Sequence, residues 1–524
     1  MFSPDRRGAL AGLAVLALLP RVFAPARAAT SRDAGLVALL DRIDAGDPVA
    51  GLGALRGFDA RGLSPVRRLD LLAVRQGLAV DARMLARWNW LRPGRSPYPV
   101  SPRTGNWRKV AEGGTVAADA IRADTQMLDA AANQGVVLPR ALLDETLRAV
   151  EAARGRASGE SAAALAGQAA ALRKQRPHAP DHAGLVRLRG GSDYFALMLE
   201  RALGEAIAPA AAHARAEAAA RALARRADML FAKLGMKGGS NGERFRALAR
   251  DPRHLYADSG AGRDRAVADM NRWMARARRW MPQAFGTIPP AVDHVAARRM
   301  SRADEAAGRG GYRTVPPADG SGEGGYYVDL AHIRRRPDWT LSSVVHHELL
   351  PGHMLQMPIE AAADPHPLRL SYAAAFTEGW AIYAEELMAH AGAFEGAPEA
   401  ELGYIQWALF RVGRALADTG IHSRGWTQAQ AIARLRDLQG EGVIFAPIEE
   451  DVARICLEPG IRSAEFLMAA SLADLRDIAG DVRDFHDHVL APGSLPLHLV
   501  EAVARHDGAG TAVPTTYSGR GGAA

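Results

Sequence analysis

The sequence predicts a mainly α fold with a small β-sheet set just ahead of a histidine-rich helix. Three observations carry this expectation. Long Ala-, Leu- and Arg-rich stretches with few β-branched residues recur between short Gly or Pro breaks, which is the composition of helices joined by turns. One Gly- and Pro-rich segment, Arg309 to Gly325, interrupts that pattern and leads into GGYYVDLAHI, the most strand-like run in the chain. The 524 residues, 48% hydrophobic and 23% charged, exceed by far what one self-sufficient core requires.

In chain order, residues 1–28 read as an export signal: Arg6 and Arg7, an apolar run from Gly8 to Leu19, then a small-residue cleavage site at Ala26-Arg27-Ala28. The run is short for a bilayer span, and the paired arginines suit the twin-arginine route better than the general secretory one. A periplasmic or secreted mature chain with no integral membrane segment is the expectation. Residues 29–180 read as an N-terminal helical region, and helices are expected at Ala117–Gln134 and Arg140–Arg154. Residues 181–505 hold the motifs that carry chemistry. The stretch from Ala208 to Leu234 is a low-complexity helix former, read as a surface or bridging helix. Tyr326 to Leu330 is a candidate rail for an extended substrate, Tyr327 included, if that strand lies at a sheet edge. Residues 506–524 lack apolar periodicity and read as a flexible tail.

The net charge of +7 falls to +4 once the signal's four arginines and one aspartate are removed. The arginines are scattered along helices and are not interleaved with aromatics, so nothing supports a nucleic-acid partner. The single Cys456 excludes an internal disulfide and a thiolate metal cage, and no Cys near the cleavage site offers a lipid anchor. A metal here needs imidazole and carboxylate ligands.

Such ligands occur in Ser342-Ser343-Val344-Val345-His346-His347-Glu348-Leu349-Leu350-Pro351-Gly352-His353, a His-Glu-x-x-His pattern with Pro-Gly inserted before the second histidine. Residues four apart on a helix differ by about 40° and share a face, whereas residues six apart differ by about 120°. His347 and His353 can therefore meet one ion only if the helix breaks between them, and Pro351-Gly352 is suited to make that break. His346 is the rival to His347, but its seven-residue spacing from His353 rises about 10 Å, too far for one ion. It is expected beside a ligand or facing substrate. Glu348 stands where a base for a metal-activated water belongs. Downstream, Ser371–Ala391 reads as an amphipathic helix whose stripe places Glu378 among alanines, a third candidate ligand. A salt bridge or a solvated face is the plainer account of that carboxylate. Glu385 on the same stripe would orient a ligand histidine.

HHELLPGH, TEGWAIYAEEL, ADTGIHSRGW, RICLEPG and FHDHVLAPGSLPL together resemble the bacterial family catalogued as domain of unknown function 885, related to helical zinc peptidases, from about Gly191 to Leu499. The resemblance implies a two-lobed helical body, Zn2+ held by His347, His353 and Glu378, and short peptides as substrates. One departure stands out: the family's Gln and Tyr after Pro-Gly are Ile461 and Glu465 here. His422, then Tyr383, Tyr372 and Arg454, are the candidates for the missing oxyanion donor. A zinc hydrolase of another amide or ester, and a metal-containing binding protein without catalysis, are the competing readings.

Overall fold

Helices dominate because the chain alternates Ala- and Leu-rich stretches with cap and break residues. A computed structural model describes residues 31–88, 96–441 and 447–505. The export signal and the C-terminal tail of the sequence reading lie outside them. Among the described residues the fold is mainly α, with one three-stranded sheet. No helix in them is long and apolar enough to cross a membrane.

The expected helices at 117–134 and 140–154 form as Ala118–Asn133 and Arg140–Arg154. With Gly159–Gln175 they build a core of Ile121, Leu128, Leu143, Val150, Leu165 and Leu172 that also takes in Ile448, Val452 and Ile455. A larger core gathers Phe231, Phe245, Leu341, Val345, Trp380 and Leu416. The helix joining the two is Pro398–Arg424, with 21 of its 27 residues buried, so it runs through the interior. The Ala-rich helix Pro209–Lys233 lies against it, burying Ala212, Ala216, Ala220 and Ala227; it is a packing element as well as a surface one.

The sheet consists of β1 (Val295–Arg299), β2 (Tyr312–Thr314) and β3 (Gly324–Val328), in the order β1-β3-β2. β3 pairs with β1 in parallel and with β2 antiparallel. This corrects the substrate-rail expectation: β3 is the central strand, with a partner on each side, and a central strand has no free edge to lend a peptide. Tyr327 instead stacks on Tyr312, ring centroids 4.6 Å apart, and clamps β2 to the sheet.

A second correction concerns the helix expected over Ser371–Ala391. It is two helices, Pro367–Tyr372 and Phe376–His390, with Ala373–Ala375 between them. The Tyr372 ring is anchored elsewhere: its hydroxyl donates to Asp81 at 2.8 Å, and the ring fills the space a side chain at Gly77 would need. That anchor turns the first segment toward the N-terminal helices and leaves the second free to face the histidines.

Candidate metal centre

The site is built on a broken helix. Helix α1 (Leu341–Glu348) ends at Glu348, and α2 (His353–Ala363) restarts at His353. Between them Leu349 adopts φ −115°, ψ −103°, outside the helical region, and the Leu350–Pro351 peptide is cis. One backbone bond, Met354 N–H to Leu349 O at 3.0 Å, spans the interruption. Gly352 is required by space: a Cβ there would sit 2.0 Å from the carbonyl oxygen of His347. Buried donors satisfy two carbonyls of the turn that lack helical partners, His346 Nδ1 on Leu350 O at 3.2 Å and Trp380 Nε1 on Pro351 O at 3.0 Å. The sequence expectation that His346 faces substrate is therefore corrected. Its ring is fully buried near Trp273 and Phe394, and burial pushes its pKa down to about 4.

The break turns His353 back toward His347, their rings 4.9 Å apart and nearly perpendicular. Helix α3 (Phe376–His390) supplies Glu378 from its first turn. His347 Nε2 lies 3.4 Å from one Glu378 oxygen, and His353 Nε2 lies 3.7 Å from the other. One ligand atom from each of the three residues falls within 4.8 Å of the others. Atoms about 2 Å from a common tetrahedral ion stand about 3.3 Å apart, so the spacing suits one small cation. His353 adds a second sign of fit, since both of its ring nitrogens are buried without a hydrogen-bond partner among the described residues. Orphaned buried nitrogens are costly, and a cation relieves one of them.

Glu385, two turns along α3, accepts from His347 Nδ1 at 2.8 Å, and Ser343 donates to its other oxygen. This fixes the His347 tautomer with Nε2 toward Glu378. Arg411, from α4 (Pro398–Arg424), approaches the His347 ring at 3.3 Å and Glu385 at 3.9 Å. Burial and Arg411 oppose protonation of His347, but Glu378 and Glu385 outweigh them and raise its pKa to about 9. Burial holds His353 well below the usual histidine value. Burial pushes the Glu378 carboxyl upward, yet the His347 hydrogen bond and the neighbouring cations hold it well below the usual range. Glu348 points from the end of α1 toward β2, where Arg313 Nη1 lies 3.2 Å from its Oε2.

The remaining candidates sit elsewhere. His422 is fully buried with both nitrogens on backbone, Leu185 N at 3.4 Å and Ile455 O at 2.9 Å, and it stacks on Phe195. It lies eleven residues beyond Arg411 on α4, about 16 Å along the axis, so its oxyanion role is withdrawn. The Tyr383 hydroxyl is engaged by His486 at 2.7 Å and that of Tyr372 by Asp81, which withdraws both. Arg454 is surrounded by Arg103, Arg462, Asp451 and Glu458, away from the cluster. Glu465 is paired with Arg462 at 2.6 Å and Arg414 at 3.9 Å.

Arg313, Arg411 and Ser343 are the residues that sequence reasoning missed. Arg411 had a signal: with Arg414 and Asp418 it forms a polar stripe at helical spacing inside the apolar run ALFRVGRALADTGI. A separate cavity of about 290 Å³, lined by Phe245, Arg334, Trp339 and Gln406 among others, includes none of the cluster residues.

A mainly α body in which two buried histidines on a Pro-Gly-broken helix face a half-buried glutamate from another helix defines the class. The chain belongs to the family described as "Bacterial protein of unknown function (DUF885)", whose model matches residues 108–503, so the likeness starts well before the Gly191 suggested by motifs alone. No curated protein matches the chain. Among solved structures, a Colwellia psychrerythraea protein is 21% identical, with TM-score 0.73 over 88% of this chain and 90% of that one. A Shewanella oneidensis protein of unknown function is 17% identical, with TM-score 0.65 over 90% and 96%. Both carry the name "putative lipoprotein". At these identities the likeness concerns the fold.

Proposed function

We propose that this chain is an exported zinc-dependent hydrolase that cleaves short peptides. The observation supporting it is the approach of His347, His353 and Glu378 to within the span of one ion, with Glu348 adjoining them. Two imidazoles and a carboxylate favour zinc over harder cations. Zinc held there would supply Lewis acidity toward a carbonyl and make water a stronger acid. The chain's own residues do the rest. Glu348 takes the proton of the attacking water and returns it to the leaving amine, and Glu385 keeps His347 in the tautomer that presents Nε2. The half-buried Glu378 and Glu348 mark the side from which substrate enters. Export rests on the signal read at residues 1–28 and agrees with the naming of the two similar structures.

The decisive experiment is metal analysis with Glu348→Gln. Purified protein should hold one zinc per chain. Glu348→Gln should keep that zinc and lose on the order of 10²–10⁴ in turnover of a peptide panel. Loss of the metal in this variant would refute the assignment of Glu348. Glu465 in place of the family's Tyr is the observation that favours a second reading, a zinc hydrolase of another amide or ester, or a binding protein without catalysis. A panel on which no peptide is cut would favour it.

A further inference from the structure

We infer that Arg313 selects substrates bearing a free carboxylate, by exchanging its ion pair with Glu348 for one with the substrate. The inference rests on the hydrolase reading and names its substrate class.

Arg313 lies on β2, an edge strand, and its side chain is 28% exposed against 21% for Glu348. Its position is fixed by its neighbour: Tyr312 stacks on Tyr327 and donates to Asp304 at 3.2 Å. Glu348 is the one anionic partner of Arg313 among the described residues. Although Nη1 stands 3.2 Å from the carboxylate, it is buried and makes no hydrogen bond, so the pair is close but poorly aligned. The other arginines near the site are committed internally, Arg336 to Asp329, Arg411 to Glu385 and Arg414 to Asp451 and Glu465.

The consequence is a charge imbalance during turnover. A Glu348 oxygen held against a guanidinium is not free to face water. Once Glu348 has taken a proton, Arg313 stands half-buried without a counter-ion, which is costly. A substrate carboxylate on the leaving-group side removes both difficulties. It pairs with Arg313 and frees Glu348; the proton taken from water passes to the amine nitrogen as the C–N bond breaks and the new carboxyl forms. A peptide whose scissile bond lies next to its free C-terminus meets this requirement, and its amidated counterpart does not.

The test uses benzoyl-glycyl-phenylalanine and its C-terminal amide as probes, with cleavage and calorimetric binding both measured. Wild type should cleave the acid on the order of 10- to 100-fold better in kcat/KM than the amide, the worth of one charge-assisted pair. Arg313→Gln should erase the preference and Arg313→Lys should restore part of it. In the zinc-free full-length protein, Glu348→Gln should bind the acid more tightly than wild type does, because the competing carboxylate is gone. The double variant with Arg313→Gln should lose that gain. A purely structural Arg313 would not produce this pattern. Equal cleavage of acid and amide by wild type, or an undiminished preference in Arg313→Gln, overturns the inference and leaves the hydrolase reading standing. If wild type cleaves neither probe, the calorimetric arm decides: acid binding that does not respond to Glu348→Gln overturns the inference independently.

Discussion

At the scale of single residues, the cluster depends on how each ligand is held as much as on which residues are present. Glu385 occupies the far nitrogen of His347, and among the described residues no comparable group occupies the far nitrogen of His353. The two histidines should therefore respond differently to loss of a neighbour. Glu385→Gln should weaken zinc binding about 10- to 100-fold, the usual effect of removing a carboxylate behind a ligand imidazole. Competition against a chromophoric chelator measures this, and unchanged affinity would mean that Arg411 and the surrounding packing orient the ring unaided. The meeting of His347 and His353 was legible from the Pro-Gly interruption, and that of Glu378 and Glu385 with them from a helix stripe and the family resemblance. Arg313 was not, since a lone arginine on a short strand has no local pattern that tells a site residue from a surface one; Arg411 lay on a polar stripe inside an apolar run, which marks an interior polar face but not its partner. His422, Tyr383 and Tyr372 were misjudged for a related reason: sequence shows a polar side chain but not the buried partner that consumes it.

At the scale of elements, the interruption between α1 and α2 turns a sequence spacing into a site. The need for a break could be read from helical geometry alone. Its form could not, because the Met354–Leu349 bond and the caps from His346 and Trp380 depend on groups that meet only in the folded chain. Gly352→Ala tests this element, since its methyl group would meet the His347 carbonyl oxygen at 2.0 Å. The expected cost is on the order of 3 kcal/mol with loss of the bound zinc, read from denaturant midpoints and metal content. Wild-type zinc content in a folded Gly352→Ala protein would show that the turn has slack. The strand run GGYYV was also legible, but whether it lay at the edge or the centre was not. Strand order is fixed by β1 and β2, and Val295–Arg299 carries no strong strand signal of its own.

At the scale of the whole molecule, the helical class followed from composition, while the sharing of cores between distant segments did not. Buried neutral imidazoles tie overall stability to pH. Burial lowers His422 and His486 to about 4, whereas an unfolded chain binds protons on such residues near 6.5. The unfolded state then holds more protons between these values, so stability is full above about pH 6.5 and falls as pH drops toward 4. Each imidazole contributes on the order of 2–3 kcal/mol to that loss. Thermal melts of the zinc-free protein across this range should show Tm falling steadily, and His486→Gln should flatten the fall if Gln keeps the Tyr383 contact. A Tm constant from pH 7 to pH 4 would contradict this account.

The helix Pro398–Arg424 passes from one core to the other between Leu416 and Ala417. Arg411, which touches His347, lies less than two turns before that crossing. A single rod thus serves as keel to both halves, and whatever loosens the N-terminal helices also slackens the support beneath the cation's ligands. Truncating the chain to the motif-bearing portion would strip much of the apolar cover from the rod's far end, so the motifs are unlike a cassette that can be lifted out and grafted elsewhere.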